Sequence, residues 1–250
     1  MAVVLVHGVP ETDAVWRPLI GELGELGRDD VTCLSPPGFG APVPAGFGAT
    51  YLEYRDWLIG ELEQLGGPVD LVGHDWGGGH VMGVAMSRPD LVRTWATDVI
   101  GLFHPDYVWH ELAQGWQQPE VGEKLVDAMA SSPLEKRASR VAGWGFPSDV
   151  AEAIAAGQDD EMGRCILALY RSAAQPALRE LGEYLPSAAA RPGLVVLATE
   201  DIYVGTDEMR RQAAARANAQ VAVLDGLSHW WMAQDPARGA QVLTEFWGNK

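Results

Sequence analysis

Residues 69–79 read Val69-Asp70-Leu71-Val72-Gly73-His74-Asp75-Trp76-Gly77-Gly78-Gly79. A short apolar run ends at a glycine, and Asp75 then sits midway between Gly73 and Gly77. This spacing is that of a nucleophile elbow, G-x-nucleophile-x-G, where a strand turns sharply into a helix. The turn thrusts the central side chain above the sheet, so its neighbours two positions away need almost no side chain. The helix expected from residue 78 to 86 aims its N-terminal N–H groups at Asp75.

A plainer account makes Asp75 a helix cap. That leaves the paired glycines unexplained. The aspartate also narrows the chemistry. A serine at an elbow attacks acyl carbon, but a carboxylate doing so would make an anhydride and gain little. On saturated carbon a carboxylate makes an alkyl ester, which water can then hydrolyse. Asp75 thus points to covalent catalysis on an electrophilic alkyl carbon, in an epoxide or a carbon–halogen bond.

Around the elbow, strand-like runs recur at 2–6, 31–34, 69–72, 94–100, 194–198 and 221–224. Helical patterns fall between most of them, at 16–26, 52–65, 78–88, 207–218 and 236–247. This alternation predicts an α/β fold, a mostly parallel six-stranded sheet with helices on both faces. Residues 102–190 break it with helical patterns and turns only, far beyond an ordinary connection. They read as a helical cap inserted over the strand ends, with helices at 127–130, 150–156 and 161–172. The core is then 1–101 and 191–250. Phe103, His104, Tyr107, Trp109, His110 and Trp116 would line a pocket roof or form the seam between cap and core.

Sites in such sheets lie beyond the carboxyl ends of the strands. His7-Gly8-Val9-Pro10-Glu11 follows the first run, and the Val9 N–H can pair with the Trp76 N–H as an oxyanion hole. His7 is expected to hold this loop by a hydrogen bond. Asp201 follows the fifth run and His229 the sixth, so that the acid can orient the imidazole. Asp98, after the fourth run, is a second candidate acid. It is one residue out of step, and side chains alternate along a strand, so Asp201 is preferred. His74, His80, His104 and His110 have no matching context.

Composition bounds the rest. At 250 residues with 47% apolar content, the chain is one domain with room for a lid. A net charge of −16 disfavours nucleic acid and membrane surfaces as partners. No apolar stretch is long enough to span a bilayer, and the N-terminus reads as a strand, not a signal peptide. Cys33 and Cys165 read as buried thiols in a reducing cytoplasm, without metal spacing. Ten tryptophans suggest an aromatic-lined pocket and an apolar or aromatic small-molecule substrate.

Together H-G-V-P-E, G-H-D-W-G-G, A-T-E-D and S-H-W-W-M-A-Q-D-P resemble the α/β-hydrolase-fold epoxide hydrolases, over nearly the whole chain. The resemblance implies Asp75 as nucleophile, His229 as water-activating base, Asp201 as its partner, a vicinal diol product, and no metal or organic cofactor. It also implies two cap tyrosines that donate to the epoxide oxygen. Tyr170, in Ala168-Leu169-Tyr170-Arg171-Ser172, matches one. The other falls near Leu112, which donates nothing, leaving Tyr107, Trp109, His110 or Trp116 to replace it. Haloalkane and fluoroacetate dehalogenases share the plan, but many carry Asn in place of Val9 or Arg in place of Trp76. A ligand-binding protein that kept the pocket and lost catalysis is the alternative of another class. Relatives also carry two further strands before H-G. Here six residues precede His7, and a second copy of the chain could cover the sheet edge as a homodimer.

Overall fold

The computed structural model describes residues 2–248; Met1, Asn249 and Lys250 lie outside them. Six strands are present: β1 (Val3–Val6), β2 (Val31–Leu34), β3 (Val69–Gly73), β4 (Val92–Thr97), β5 (Gly193–Ala198) and β6 (Gln220–Leu224). They form one sheet in the order β2-β1-β3-β4-β5-β6, with every neighbouring pair parallel. The strand order reverses between β1 and β3, the switch point at which such sheets open a crevice. Register brings the loops together there. Val6 pairs with Gly73, and Gly73 with Thr97, so the loops after β1, β3 and β4 leave the sheet side by side. Ala198 pairs with Leu224, which does the same for the loops after β5 and β6.

The strand sequences explain their positions. β1 and β3 are buried along their whole length, as near-continuous apolar runs require in a sheet covered on both faces. Asp70 is the charged exception. Arg28, Arg93 and the Thr94 hydroxyl hold its carboxylate in the core. β2 is half-buried and β6 partly exposed, as suits the two edges.

Helices α1 (Arg17–Glu25), α2 (Tyr51–Leu65) and α3 (Trp76–Ser87) follow the first three strands. α2 starts at a capping box. Thr50 Oγ1 accepts from the Glu53 N–H (3.3 Å), and Glu53 Oε2 accepts from the Thr50 N–H (3.1 Å). Between β4 and β5 come α4 (Glu111–Gln117), α5 (Val121–Ala130), α6 (Leu134–Ala142), α7 (Ser148–Ala156), α8 (Asp160–Ser172) and α9 (Ala177–Gly182). This stretch holds no strand among the described residues. Then follow α10 (Asp207–Arg216), α11 (Trp231–Gln234) and α12 (Pro236–Gly248).

Two apolar clusters cover the two sheet faces. One joins Val4, Val6 and Leu71 to α2 and α3; the other joins Val3, Leu5 and Val72 to α1 and α12. The long helical stretch contributes to both, through Met162 and Ile166 to the first and Val141 and Ile154 to the second. Its helices are therefore packed onto the sheet layers.

Two differences from the sequence reading have physical causes. β4 ends at Thr97, not at residue 100, because Ile100–Phe103 turn as a buried 3-10 helix. The apolar run stays in the core without extending the ladder, and Asp98 leaves the sheet. Helices α4, α6 and α9 were not expected. α4 and α9 are too short to show a period, and α6 buries only Ala138 and Val141. Among the described residues, no helix is long and apolar enough to cross a membrane.

Candidate active site

Asp75 sits between β3 and α3 at φ 49°, ψ −127°, a conformation that costs a non-glycine residue about 1–3 kcal/mol. Its neighbours show what holds it. The Asp75 N–H donates to Asp98 Oδ1 (3.0 Å), and the Val9 N–H donates to Asp75 Oδ1 (2.8 Å). The Asp75 side chain makes no capping bond to α3, so the plain cap account fails. The glycine spacing is steric. A Cβ on Gly73 would lie 2.4 Å from the Gly77 carbonyl oxygen, and one on Gly77 would lie 2.1 Å from that of Val6. Gly8 is needed too, since a Cβ there would meet Asp75 Oδ1 at 2.3 Å.

The fold brings Asp75, His229 and Asp201 together. His229 Nδ1–H donates to Asp201 Oδ2 (2.8 Å), and Asp201 Oδ1 accepts from the Tyr203 N–H (2.9 Å). His229 Nε2 faces Asp75 Oδ2 at 3.6 Å, an ion-pair distance too long for a hydrogen bond. Burial works to raise the Asp75 pKa, but His229, His74 and the Val9 N–H outweigh it and lower it to about 2. Burial works to lower the His229 pKa; Asp201, then Asp75, raise it well above 6.5. Both shifts favour the charged forms, a carboxylate facing an imidazolium. Trp76 opens α3, so its N–H has no partner within the helix.

These groups border a cavity of about 540 Å³, with Val9, Asp75 and His229 on the sheet side and His110, Trp116 and Tyr170 on the helical side. Tyr170, on α8, is 2% exposed and packs against the rings of Trp76, Trp109 and Trp116. Burial, then the Asp75 charge, raises its pKa, so it stays a phenol. Tyr170 also lines the cavity, as a phenol with a hydrogen to donate.

The other cap candidates separate. Tyr107 spends its hydroxyl on the Tyr203 carbonyl (2.7 Å), and Trp109 is packed between Trp76 and Tyr107, off the cavity wall. Leu112 does line the cavity, as the spacing indicated, and brings no donor. His110 lines it as well. Its Nδ1 accepts from the Ala113 N–H (3.3 Å), and burial lowers its pKa. A neutral ring accepting at Nδ1 carries its hydrogen on Nε2.

Sequence reasoning missed a second assembly beneath the first. His74 Nδ1–H donates to Asp98 Oδ2 (2.6 Å) and its Nε2–H to Glu11 Oε1 (3.3 Å). Glu11 Oε1 also accepts from Trp230 Nε1–H (2.6 Å), and Asp98 Oδ2 from Trp231 Nε1–H (2.8 Å). Burial disfavours the charged ring, but Asp98 and then Glu11 raise the His74 pKa to about 10. One signal was available: Glu11, His74 and Asp98 each follow a strand that leaves the sheet at the same place. His7, by contrast, does bond its own loop, at the Gly8 carbonyl (2.9 Å). Among the described residues, no group of three or more His, Cys, Asp and Glu is placed to hold a metal ion.

Residues 3–242 match the alpha/beta hydrolase family. The chain belongs to that family. It is similar to an epoxide hydrolase of Caballeronia sordidicola, 36% identical over 42% of this chain and 31% of that one. It is also similar to the (E)-2-((N-methylformamido)methylene)succinate hydrolase of Acinetobacter baylyi, 35% identical over 37% of this chain and 35% of the other. The matched stretch spans about a third of the length of either curated relative. A haloalkane dehalogenase loop variant from Bradyrhizobium elkanii superposes with a TM-score of 0.70, over 99% of this chain and 89% of that one, at 20% identity. At that identity the likeness speaks for the fold.

Proposed function

We propose that this alpha/beta hydrolase opens an epoxide to a vicinal diol through an ester on Asp75. The observation that carries the reading is the division of labour between the two Asp75 oxygens. Oδ1 is held by the Val9 N–H, while Oδ2 faces His229 across the cavity. Oδ2 is the attacking atom, and a carbon–oxygen bond of the epoxide breaks as the new bond forms. Tyr170 and the His110 Nε2–H donate to the alkoxide as it forms, and the proton it takes up comes in net from the His229 imidazolium, leaving a hydroxyalkyl ester on Asp75 and a neutral His229. His110 thereby fills the role that Leu112 cannot.

Esterification removes the Asp75 charge that holds a proton on His229. The imidazole then serves as the base that takes a proton from water, with Asp201 fixing its tautomer. Water attacks the ester carbonyl, and negative charge gathers on Oδ1. The Val9 and Trp76 N–H groups receive it, each such donor being worth about 2.7–4 kcal/mol. The Cγ–Oδ2 bond breaks, the proton on His229 goes to Oδ2, and the diol leaves; the water oxygen stays on Asp75, and the second water proton passes to His229. In this reading the helices between β4 and β5 act as the cap that excludes bulk water.

A carbon–halogen substrate would use the same nucleophile. Its halide needs N–H donors, yet the Trp76 ring is buried and does not line the cavity. The epoxide reading therefore fits better. The test is His229→Ala mixed with an aryl epoxide. An adduct of substrate mass should accumulate on the Asp75 peptide, and no halide should be released from a haloalkane panel. Unchanged turnover without adduct would overturn the scheme, and tight binding with no turnover on any panel would favour a binding protein.

A further inference from the structure

The cavity wall carries a cation that the epoxide scheme does not use. Arg140, in the last turn of α6, lines the cavity that also holds Asp75 and His229. Its Nη2–H donates to Gln158 Oε1 (2.9 Å). Gln158 is fully buried, and its Nε2–H donates to the Pro10 carbonyl (2.9 Å) in the loop that supplies the Val9 N–H. A carbonyl only accepts, so the Gln158 amide can face just one way, with its oxygen toward Arg140. The guanidinium is therefore docked through one nitrogen onto a buried post; Arg140 itself is exposed, and among the described residues its remaining N–H groups have no protein partner.

Electrostatics at this end of the cavity has one sign. Among the described residues, no carboxylate lies within ion-pair distance of Arg140 or of Arg137 on the preceding turn of α6. Arg137 gives its N–H groups to the carbonyls of Ala130, Ser132 and Ala155. Burial, then the Arg137 charge, holds the Arg140 pKa below its ordinary value. In a chain with 34 acidic residues and 18 Lys and Arg, acidic partners are abundant. Two neighbouring guanidiniums without one, Arg140 exposed and Arg137 half-buried, make a local positive field on a negative protein. The rest of this wall is apolar and aromatic, with Leu125, Met129 and Trp144 nearby.

We propose that Arg140 is a specificity-determining residue that binds a carboxylate on the substrate, remote from the reacting carbons. The geometry suits bidentate pairing, because a planar guanidinium held at one nitrogen still offers a fork of donors. Asp75 forbids a second carboxylate at the reacting end, so the anionic group lies toward α6 and the apolar body lies between. The substrate class is then an aryl or alkyl epoxide with an acidic tail. This rests on the cavity being the substrate site proposed above.

Two measurements separate this inference from the epoxide scheme. The first compares kcat/KM for 3-phenylglycidate and its neutral amide, in the wild type and in Arg140→Met. The preference for the carboxylate should fall about 10-fold in the variant, the low end for a charge-assisted hydrogen bond at a partly exposed site. The second needs no turnover. Phenylacetate and phenylacetamide are titrated while tryptophan fluorescence is followed, since Trp116, Trp144 and Trp230 line the cavity. Phenylacetate should bind more tightly than the amide, weaken with salt, and lose about 10-fold in Kd in Arg140→Met. If no epoxide turns over but that loss is seen, the epoxide scheme fails and the carboxylate site stands. Equal affinities for acid and amide, or an acid affinity that Arg140→Met leaves in place, overturn it.

Discussion

Two imidazoles lie one beneath the other under the cavity, with ring centroids 4.6 Å apart, and only His229 lines it. Each gives its Nδ1–H to a carboxylate, His74 to Asp98 (2.6 Å) and His229 to Asp201 (2.8 Å). They part at the other nitrogen. His74 Nε2 is closed off by Glu11 at 3.3 Å, whereas His229 Nε2 faces Asp75 across 3.6 Å. One histidine is bonded on both sides and keeps its proton. The other is bonded on one side, and in the proposed reaction it exchanges its proton. On the proposed mechanism, the same side chain is structural or reactive according to whether its second nitrogen has a permanent partner.

That contrast breaks first at the two aspartates. Asp201→Asn should lower kcat by about 10³-fold, within the range for losing a working base, while leaving the melting temperature nearly in place. Asp98→Asn should do the converse. It removes one partner of a buried charged cluster that also grips the Asp75 N–H, and a loss of about 3–5 kcal/mol of stability is expected from urea unfolding. A variant pair in which both effects fall on the same aspartate would erase the distinction.

The contrast was only half legible in the sequence. His229 and Asp201 stand just past two strand-like runs, and their order along the chain is a pattern with a mechanism. His74 lies inside the elbow, yet its partners Glu11 and Asp98 come from the loops after β1 and β4, and the tryptophans beside His229 donate to those carboxylates in turn. No local spacing encodes such a cluster; only the register of three parallel strands assembles it. Asp98 shows the same limit. Counting along the run placed it one residue out of step, but its actual task followed from β4 ending at Thr97. The elbow was readable because steric contact between Gly73 and Gly77 leaves a mark in composition. The helical stretch was readable as an interruption, but α6, with its sparse apolar face, was not, and Arg140 went unnoticed with it.

The cap donors give the next effect. Tyr170→Phe and His110→Phe should each lower kcat by about 10- to 100-fold on an epoxide, less than a full oxyanion donor because each can cover for the other. Tyr203→Phe, whose ring also borders the cavity, is the control and should cost less than either. A larger loss there would move the second donor from His110 to Tyr203.

The smallest effect is on pH. The folded His74 pKa, about 10, lies above its unfolded value of 6.5. Its contribution to stability is therefore full below pH 6.5 and lost as pH rises through about 10. Across that interval the melting temperature of the wild type should fall more steeply than that of His74→Gln. Parallel curves would mean that His74 is not held as a cation.

The central claim is that the Asp75 carboxylate bonds to saturated carbon and is restored by water. One turnover of an epoxide in H₂¹⁸O, with enzyme in excess, tests it directly by mass spectrometry of the Asp75 peptide. The account predicts one heavy oxygen in that side chain and an unlabelled diol. Label in the diol alone, with Asp75 unchanged, would contradict it.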